Sequence, residues 1–275
     1  MNYEHFEQLY LKSKKLYQSE NKNLIDNNIN LFCQFFINKN IERQNEIKYV
    51  LEKNVNNNFI NNIYLLNEKI YTDEELGVKS DKIIQIDIGK RLEFKDVFNF
   101  IKNNNVKGYN IILNSDIFLD DSIEKLLYSD LHNTRKMCCL LRYELNIDDI
   151  NKSKLFDLQS CSQDTWIIHS NNKLSNEEIS KFNFEFGKPA CDNVLVYLFY
   201  KELKFEIIND PEIIKTYHYH HTNMRNYTES GRLVGLSYAD ITPASIIEGF
   251  TSIKKNINPL NILILIILII LIIYN

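Results

Sequence analysis

The sequence predicts an α/β protein, a mostly parallel sheet with helices on both faces, followed by an apolar tail of a different kind. Three observations predict it. Short β-branched apolar runs alternate with helix-length amphipathic stretches from Ile29 to Asp121, the pattern of strands joined by helical crossovers. The run Ile111-Ile112-Leu113 is apolar at consecutive positions, as a strand covered on both faces has to be. Helix starts punctuate the alternation: Thr72-Asp73-Glu74-Glu75 and Ser175-Asn176-Glu177-Glu178 both have capping-box spacing.

Residues 3–18 place Phe6, Leu9, Tyr10, Leu16 and Tyr17 at near-helical spacing, which predicts an amphipathic N-terminal helix. Ile29 to Ile37 reads as the first strand, Asn38-Lys39-Asn40 as a turn, and Ile41 to Lys53 as a helix with Arg43 and Glu46 in its first turns. Ile60 to Leu66 and Ile83 to Ile88 read as the second and third strands, and Phe94 to Lys102 as a helix. The pivotal stretch is Tyr109 to Asp121. Its buried strand runs into Asn114-Ser115-Asp116, a second apolar triplet follows, and Asp121 is placed to cap a helix reaching Leu131 that Glu124 closes as a capping box. Met137 to Tyr143 and Asp164 to His169 follow as strands, the latter with an acid at its start. Gly187 to Asn193 opens an apolar helix to Tyr200, and Phe205 to Ile208 reads as the last sheet strand. Thr216 to His221 reads as extended, so His218 and His220 point one way and His221 the other.

Composition narrows the function. The 275 residues are 44% hydrophobic and 25% charged, a globular balance. A net charge of −4 argues against a general nucleic-acid binder, which needs basic surface to neutralise phosphates. The five cysteines lack CxxC spacing, lie mostly in apolar segments, and read as reduced core residues of a cytosolic protein. No secretory signal opens the sequence. The chain divides into a domain at 1–228, a linker or peripheral segment at 229–257, and a hydrophobic anchor at 258–275. Within the anchor, 260–274 is almost wholly Ile and Leu and follows Lys254-Lys255 and Pro259. As a helix it spans roughly 22 Å, short of the ~30 Å hydrocarbon core, and crosses a thin bilayer with help from flanking residues. It reads as a single-pass C-terminal membrane anchor that leaves the domain in the cytosol, with a buried core helix as the alternative.

Asp116 stands at the carboxyl end of a central strand, the edge at which open α/β sheets bind ligands. A carboxylate there suits a hard divalent cation shared with the phosphates of a nucleotide. At Asn114-Ser115-Asp116 the chain resembles the GT-A-fold glycosyltransferases, whose Asp-x-Asp motif holds a divalent metal against the diphosphate of a sugar nucleotide. Asn114 replaces the first Asp of that motif, where an amide still bonds sugar or ribose hydroxyls, so the metal assignment rests on Asp116. The resemblance runs from about Leu31 to Tyr227 and is to the small single-domain members found in bacteria and large viruses.

The resemblance implies further roles. Ser162 to Trp166 falls where such enzymes wall the sugar and acceptor site, which makes Asp164 a catalytic candidate. Gly187 to Asn193 resembles the loop and helix start carrying the acceptor-side acid, here Asp192, the candidate base. His218 and His220, followed by Arg225 and Tyr227, fall where a late histidine completes the metal site. Asp116, His218 and His220 are then the ligands of Mn²⁺ or Mg²⁺, with Mn²⁺ favoured because imidazole suits it better. Arg225 or Arg91 would meet the phosphates, with Arg43 a further candidate. The implied donor is a nucleotide sugar and the acceptor a hydroxyl of a glycan, lipid or protein.

Plainer readings stand beside these. Asp192 also suits a helix dipole, Asp164 a strand end, and His218 and His220 packing beside Tyr217 and Tyr219. Arg43 and Arg91 also read as surface charges, Asp120 and Asp121 as caps, and Trp166 as core rather than a sugar platform. Two rival functions remain: nucleotidyl transfer to make a sugar nucleotide, and a catalytically inactive tail-anchored interaction protein.

Overall fold

The computed structural model describes residues 26–132, 135–156, 162–222, 232–233 and 235–239. The expected N-terminal helix, Cys161, Arg225 and the anchor at 258–275 lie outside these residues, as does most of 229–257. Among the described residues no helix is long and apolar enough to cross a membrane.

Seven strands form the main sheet: β1 (Ile29–Cys33), β2 (Asn62–Asn67), β3 (Ile83–Asp87), β4 (Tyr109–Leu113), β6 (Lys136–Leu141), β9 (Gln163–His169) and β10 (Glu206–Ile208). Their order is β10-β6-β9-β4-β1-β2-β3. All neighbours pair in parallel except β9, which runs antiparallel to both β4 and β6. The mostly parallel sheet is therefore mixed. Its reversed strand has a simple cause: β6 ends at the carboxyl edge, the chain builds β7 (Tyr143–Glu144) and β8 (Lys154–Leu155) there, and β9 re-enters from that edge without a crossover.

Alternation along each strand divides the core. Leu31, Ile63, Leu65, Ile111, Leu113 and Ile167 face one layer, where they meet Ile47, Leu51 and Val55 of helix α1 (Ile41–Asn56). Phe32, Leu66, Ile112, Trp166 and Ile168 face the other. There they meet Phe94, Val97 and Phe98 of a second helix (Phe94–Asn103) and Val194 and Leu195 of a third (Cys191–Tyr197). The apolar run at 111–113 is fully buried for this reason. Its entry is equally constrained: Gly108 has φ +97°, and a Cβ there would stand 2.1 Å from the Asn28 carbonyl oxygen.

Winding sets the functional edge. From β1 the chain steps outward to β2 and β3, then returns to lay β4 on the opposite side of β1. Strand order reverses between β1 and β4, the switch point where such sheets open a crevice. Asn40 caps α1 by accepting from the Arg43 amide at 2.8 Å, so α1 begins just beyond β1 with Arg43 in its first turn.

A second sheet of order β5-β11-β7-β8 sits at this edge, with β5 at Ile117–Leu119 and β11 at Thr216–His218. Val50 of α1 packs against Phe118, Leu145 and Tyr217 beneath it. Asn54 of α1 donates to the Ile117 carbonyl at 3.0 Å and accepts from the Leu119 amide at 3.1 Å, tying β5 to the helix.

Two local expectations need correction. The N-cap is Asp120, not Asp121, and the helix expected to reach Leu131 is a 3₁₀ helix over Asp121–Tyr128. Ser122 accepts from the Lys215 amide at 2.8 Å and Lys125 donates to the Ile213 carbonyl at 2.9 Å, ties to the approach to β11 that accompany the tighter winding. The helix expected to run to Tyr200 is α-helical to Tyr197 and continues as a π turn over Leu198–Glu202.

Candidate metal centre and its charged surround

Asp116 occupies the turn joining β4 to β5, which the Ile117 amide closes on the Asn114 carbonyl at 3.1 Å. Its own carbonyl accepts from the Tyr219 amide at 2.9 Å, stitching the turn to the chain that leaves β11. The side chains converge as a result. Asp116 Oδ2 lies 2.5 Å from Arg43 Nη2, 3.4 Å from His218 Nε2 and 3.8 Å from His220 Nδ1. Asp116, His218 and His220 each offer a ligand atom, all within 4.8 Å of one another.

The tyrosines between the histidines explain why both imidazoles reach one side. Tyr217 stacks on Phe118 and Tyr219 packs edge-on against Tyr49, so alternation turns His218 and His220 toward Asp116. His221 falls on the other side, where its ring meets Tyr219 and its amide donates to Glu46 Oε1 at 2.9 Å.

Arg43 is not a surface charge; its side chain and that of Glu46 are each only 5% exposed. The guanidinium donates to Glu46 Oε2 at 2.8 Å and to the Tyr219 carbonyl at 3.2 Å while facing Asp116. Two carboxylates therefore hold one buried cation. Burial pushes the Asp116 carboxyl upward, yet His218 and Arg43 outweigh it and hold that carboxyl well below the usual range. Burial pulls His218 down, but Asp116 and Glu144 carry it up to about 9. His220 is lowered by burial and by Arg43.

The charged contacts continue away from the cation site. His218 Nδ1 lies 3.0 Å from Glu144 Oε2, and Glu144 Oε1 accepts from Arg142 Nε at 2.9 Å. Arg142 also pairs with Asp164, whose other oxygen accepts from Asn114 Nδ2 at 2.7 Å. Asp164 is thus an ion-paired link, fixed at the start of β9. Asp192 stands in the first turn of its helix, half-buried behind a loop in which Gly187 and Ala190 both take left-handed backbone. Burial and the neighbouring Asp164 charge push its carboxyl up to about 7. That is a value suited to accepting a proton near neutrality.

Of the remaining candidates, Arg91 lies outside the Asp116 group: it donates to the Phe186 carbonyl at 2.8 Å and sits 3.6 Å from Glu185, bracing the loop before Asp192. Arg225 is outside the described residues. Trp166 is fully buried with its ring edge-on to Phe94 and Phe186, which makes it core and not a sugar-stacking surface. Cys33, Cys138, Cys139 and Cys191 are free and buried, as their apolar surroundings imply.

Glu144 and Arg142 went unmarked in the sequence. The available signal was their i, i+2 spacing just past an apolar strand, which puts both on one side of the chain. A cavity of about 290 Å³ lined by Phe98, Ile101, Val106, Ile168 and Leu174 opens beside the start of β4, the end of that strand opposite Asp116, and none of the charged group lines it.

The donor set fits a divalent transition cation: one carboxylate and two imidazoles, the first imidazole tethered at Nδ1 by Glu144 with Nε2 toward Asp116.

The sequence matches no family model and no curated protein. Solved structures similar to this chain include 4-diphosphocytidyl-2C-methyl-D-erythritol synthase from Anaerococcus prevotii (12% identity, 74% of this chain, 92% of that chain, TM-score 0.42). The mannosyltransferase PcManGT from Pyrobaculum calidifontis, in complex with GDP-Man and Mn²⁺, is 9% identical over 80% of this chain and 65% of that one, TM-score 0.43. The apo glycosyltransferase GlyE of Streptococcus pneumoniae is 12% identical over 68% of this chain and 46% of that one, TM-score 0.41.

Proposed function

We propose that the chain is a divalent-metal-dependent glycosyltransferase that moves a sugar from a nucleoside-diphosphate donor to a hydroxyl of a glycan, lipid or protein. The observation that carries this reading is the convergence of Asp116, His218, His220 and Arg43 at the β1/β4 switch point.

Departure of a nucleoside diphosphate from a sugar develops negative charge on the leaving phosphate. A cation held by Asp116, His218 and His220 would neutralise that charge, and Mn²⁺ suits the two imidazoles better than Mg²⁺. Arg43 is a fixed positive charge next to that ligand set, already desolvated and oriented by Glu46 and Tyr219. Its planar guanidinium is matched to phosphate oxygens. Asp192 is the group with the right proton affinity to take the acceptor hydroxyl proton. Asp164, held by Arg142 and Asn114, lifts that affinity by its charge rather than acting on substrate itself. The apolar run at 258–275 would tether the enzyme to a membrane, with the domain on the cytosolic side.

Nucleotidyl transfer would use the same cation and the same diphosphate. The loop after β1, Gln34 to Asn40, contains no glycine, whereas a phosphate-cradling loop needs close backbone approach. Turnover of a panel of sugar nucleotides with and without Mn²⁺ tests the proposal. Metal-dependent release of nucleoside diphosphate, abolished in Asp116→Ala, supports it. Turnover that requires pyrophosphate supports nucleotidyl transfer instead, and an absence of binding and turnover supports an inactive interaction protein.

A further inference from the structure

We infer that Glu144 is a positioning residue of the metal centre: it fixes the ring of His218 so that Nε2 is presented to the cation. This inference rests on the metal-dependent reading of Asp116, His218 and His220. The geometry is local and complete. Glu144 in β7 and His218 in β11 are register partners of a parallel pair, so their side chains emerge next to one another. The Leu145 amide donates to the His218 carbonyl at 3.0 Å, which locks that register. Both Glu144 oxygens face His218 Nδ1, at 3.0 and 3.3 Å, while Nε2 faces Asp116 at 3.4 Å.

An imidazole has two nitrogens, and a hydrogen bond at one decides which tautomer offers its lone pair at the other. A carboxylate at Nδ1 keeps the proton on that nitrogen, so that a cation displacing the Nε2 proton would find Nε2 as the ligand atom. Glu144 is itself held. Arg142 Nε donates to it at 2.9 Å, and the Arg142 guanidinium lies 4.2 Å from the centroid of the Phe156 ring and bonds Ser162 Oγ at 2.9 Å. Arg142 in turn reaches Asp164, so the same arginine that orients the ligand's carboxylate also fixes the acid whose charge acts on Asp192. The metal side and the acceptor side of the site are connected through this one guanidinium. Glu144 acts on the His218 imidazole, while His220 Nδ1 faces Asp116 Oδ2 at 3.8 Å.

The test is Mn²⁺ affinity of the full chain, read from the electron paramagnetic resonance signal of free Mn²⁺, in wild type, Asp116→Asn, Glu144→Ala and Glu144→Gln. Thermal melting is followed in parallel. Glu144→Ala is expected to weaken Mn²⁺ binding about 10- to 100-fold, and Glu144→Gln, which keeps an acceptor for Nδ1–H, to fall between it and wild type. The isosteric Gln variant carries the measurement if the Ala variant does not fold. Wild-type binding with both Glu144 variants within twofold of it overturns the inference and leaves the metal reading standing. A wild-type chain that binds no Mn²⁺ overturns the metal reading and this inference with it. A lower melting point with unchanged affinity assigns Glu144 a purely structural role and also overturns the inference.

Discussion

Arg43 Nη2 lies 2.5 Å from Asp116 Oδ2, and this one contact joins the segment leaving β1 to the segment leaving β4. These are the two strands between which the winding reverses, so the ion pair sits at the switch point of the sheet. Arg43 is buried because Glu46 and Asp116 both face it, and Asp116 remains ionised because Arg43 and His218 face it in return. Arg43→Met is therefore expected to destabilise the protein by about 3–5 kcal/mol, the usual result of leaving buried carboxylates without their cation. Urea unfolding monitored by circular dichroism measures it, and a loss below about 1 kcal/mol would contradict the pairing.

Metal should act as a stabilising ligand. Mn²⁺ at a hundredfold excess over its dissociation constant is expected to stabilise the folded state by about 2.7 kcal/mol, by mass action alone. The effect should vanish in Asp116→Asn and shrink in His220→Ala. Differential scanning fluorimetry across an Mn²⁺ series reads this directly, and an equal shift in Asp116→Asn would place the ion elsewhere.

Asp192 gives a pH signature whose sign is fixed. Its folded-state value of about 7 exceeds the ordinary carboxyl value near 4, so between those limits the folded protein keeps a proton that the unfolded chain has lost. Its contribution to stability is complete below about pH 4 and declines as pH rises to about 7. Asp192→Asn should remove that slope, becoming progressively more stable than wild type from pH 4 to pH 8. The same substitution should lower turnover by about 10²- to 10⁴-fold, while wild-type turnover rises with pH through about 7. Parallel stability curves for the two proteins across this range would contradict the raised affinity of Asp192 for its proton.

Gly108→Ala should fold poorly. The added methyl would meet the Asn28 carbonyl oxygen at 2.1 Å in a backbone conformation that L-residues avoid. The expected cost is at least about 2 kcal/mol, read as reduced soluble yield and a lowered melting point.

The stretch from Tyr109 to Asp116 was legible in the sequence because a strand covered on both faces has to be apolar at every position, and Ile111-Ile112-Leu113 is. Thr72 and Ser175 were legible because capping boxes are local, and both form as their spacing indicates. The shared side of His218 and His220 followed from strand alternation and holds. What escaped was tertiary. β7 and β8 are two-residue strands, too short for any periodicity, and the pairing that gathers them with β5 and β11 into a second sheet depends on contacts distant in sequence. Glu144 lies in that small sheet and Arg142 in the link that leads into it from β6, and so both went unmarked. The reversal of β9 was hidden because direction leaves no trace in the composition of a buried strand. Arg43 reads in the sequence both as a phosphate-binding candidate and as a surface charge, because the acid that desolvates it, Asp116, is distant in sequence.

The most direct measurement is a crystal structure of the full chain soaked with a nucleoside diphosphate and Mn²⁺, with the ion located by anomalous scattering. The account predicts a peak within about 2.5 Å of an Asp116 oxygen and bonded to at least one of His218 and His220, with the diphosphate completing its shell beside Arg43. A peak remote from Asp116, or no peak with the Arg43–Asp116 pair unchanged, would contradict it.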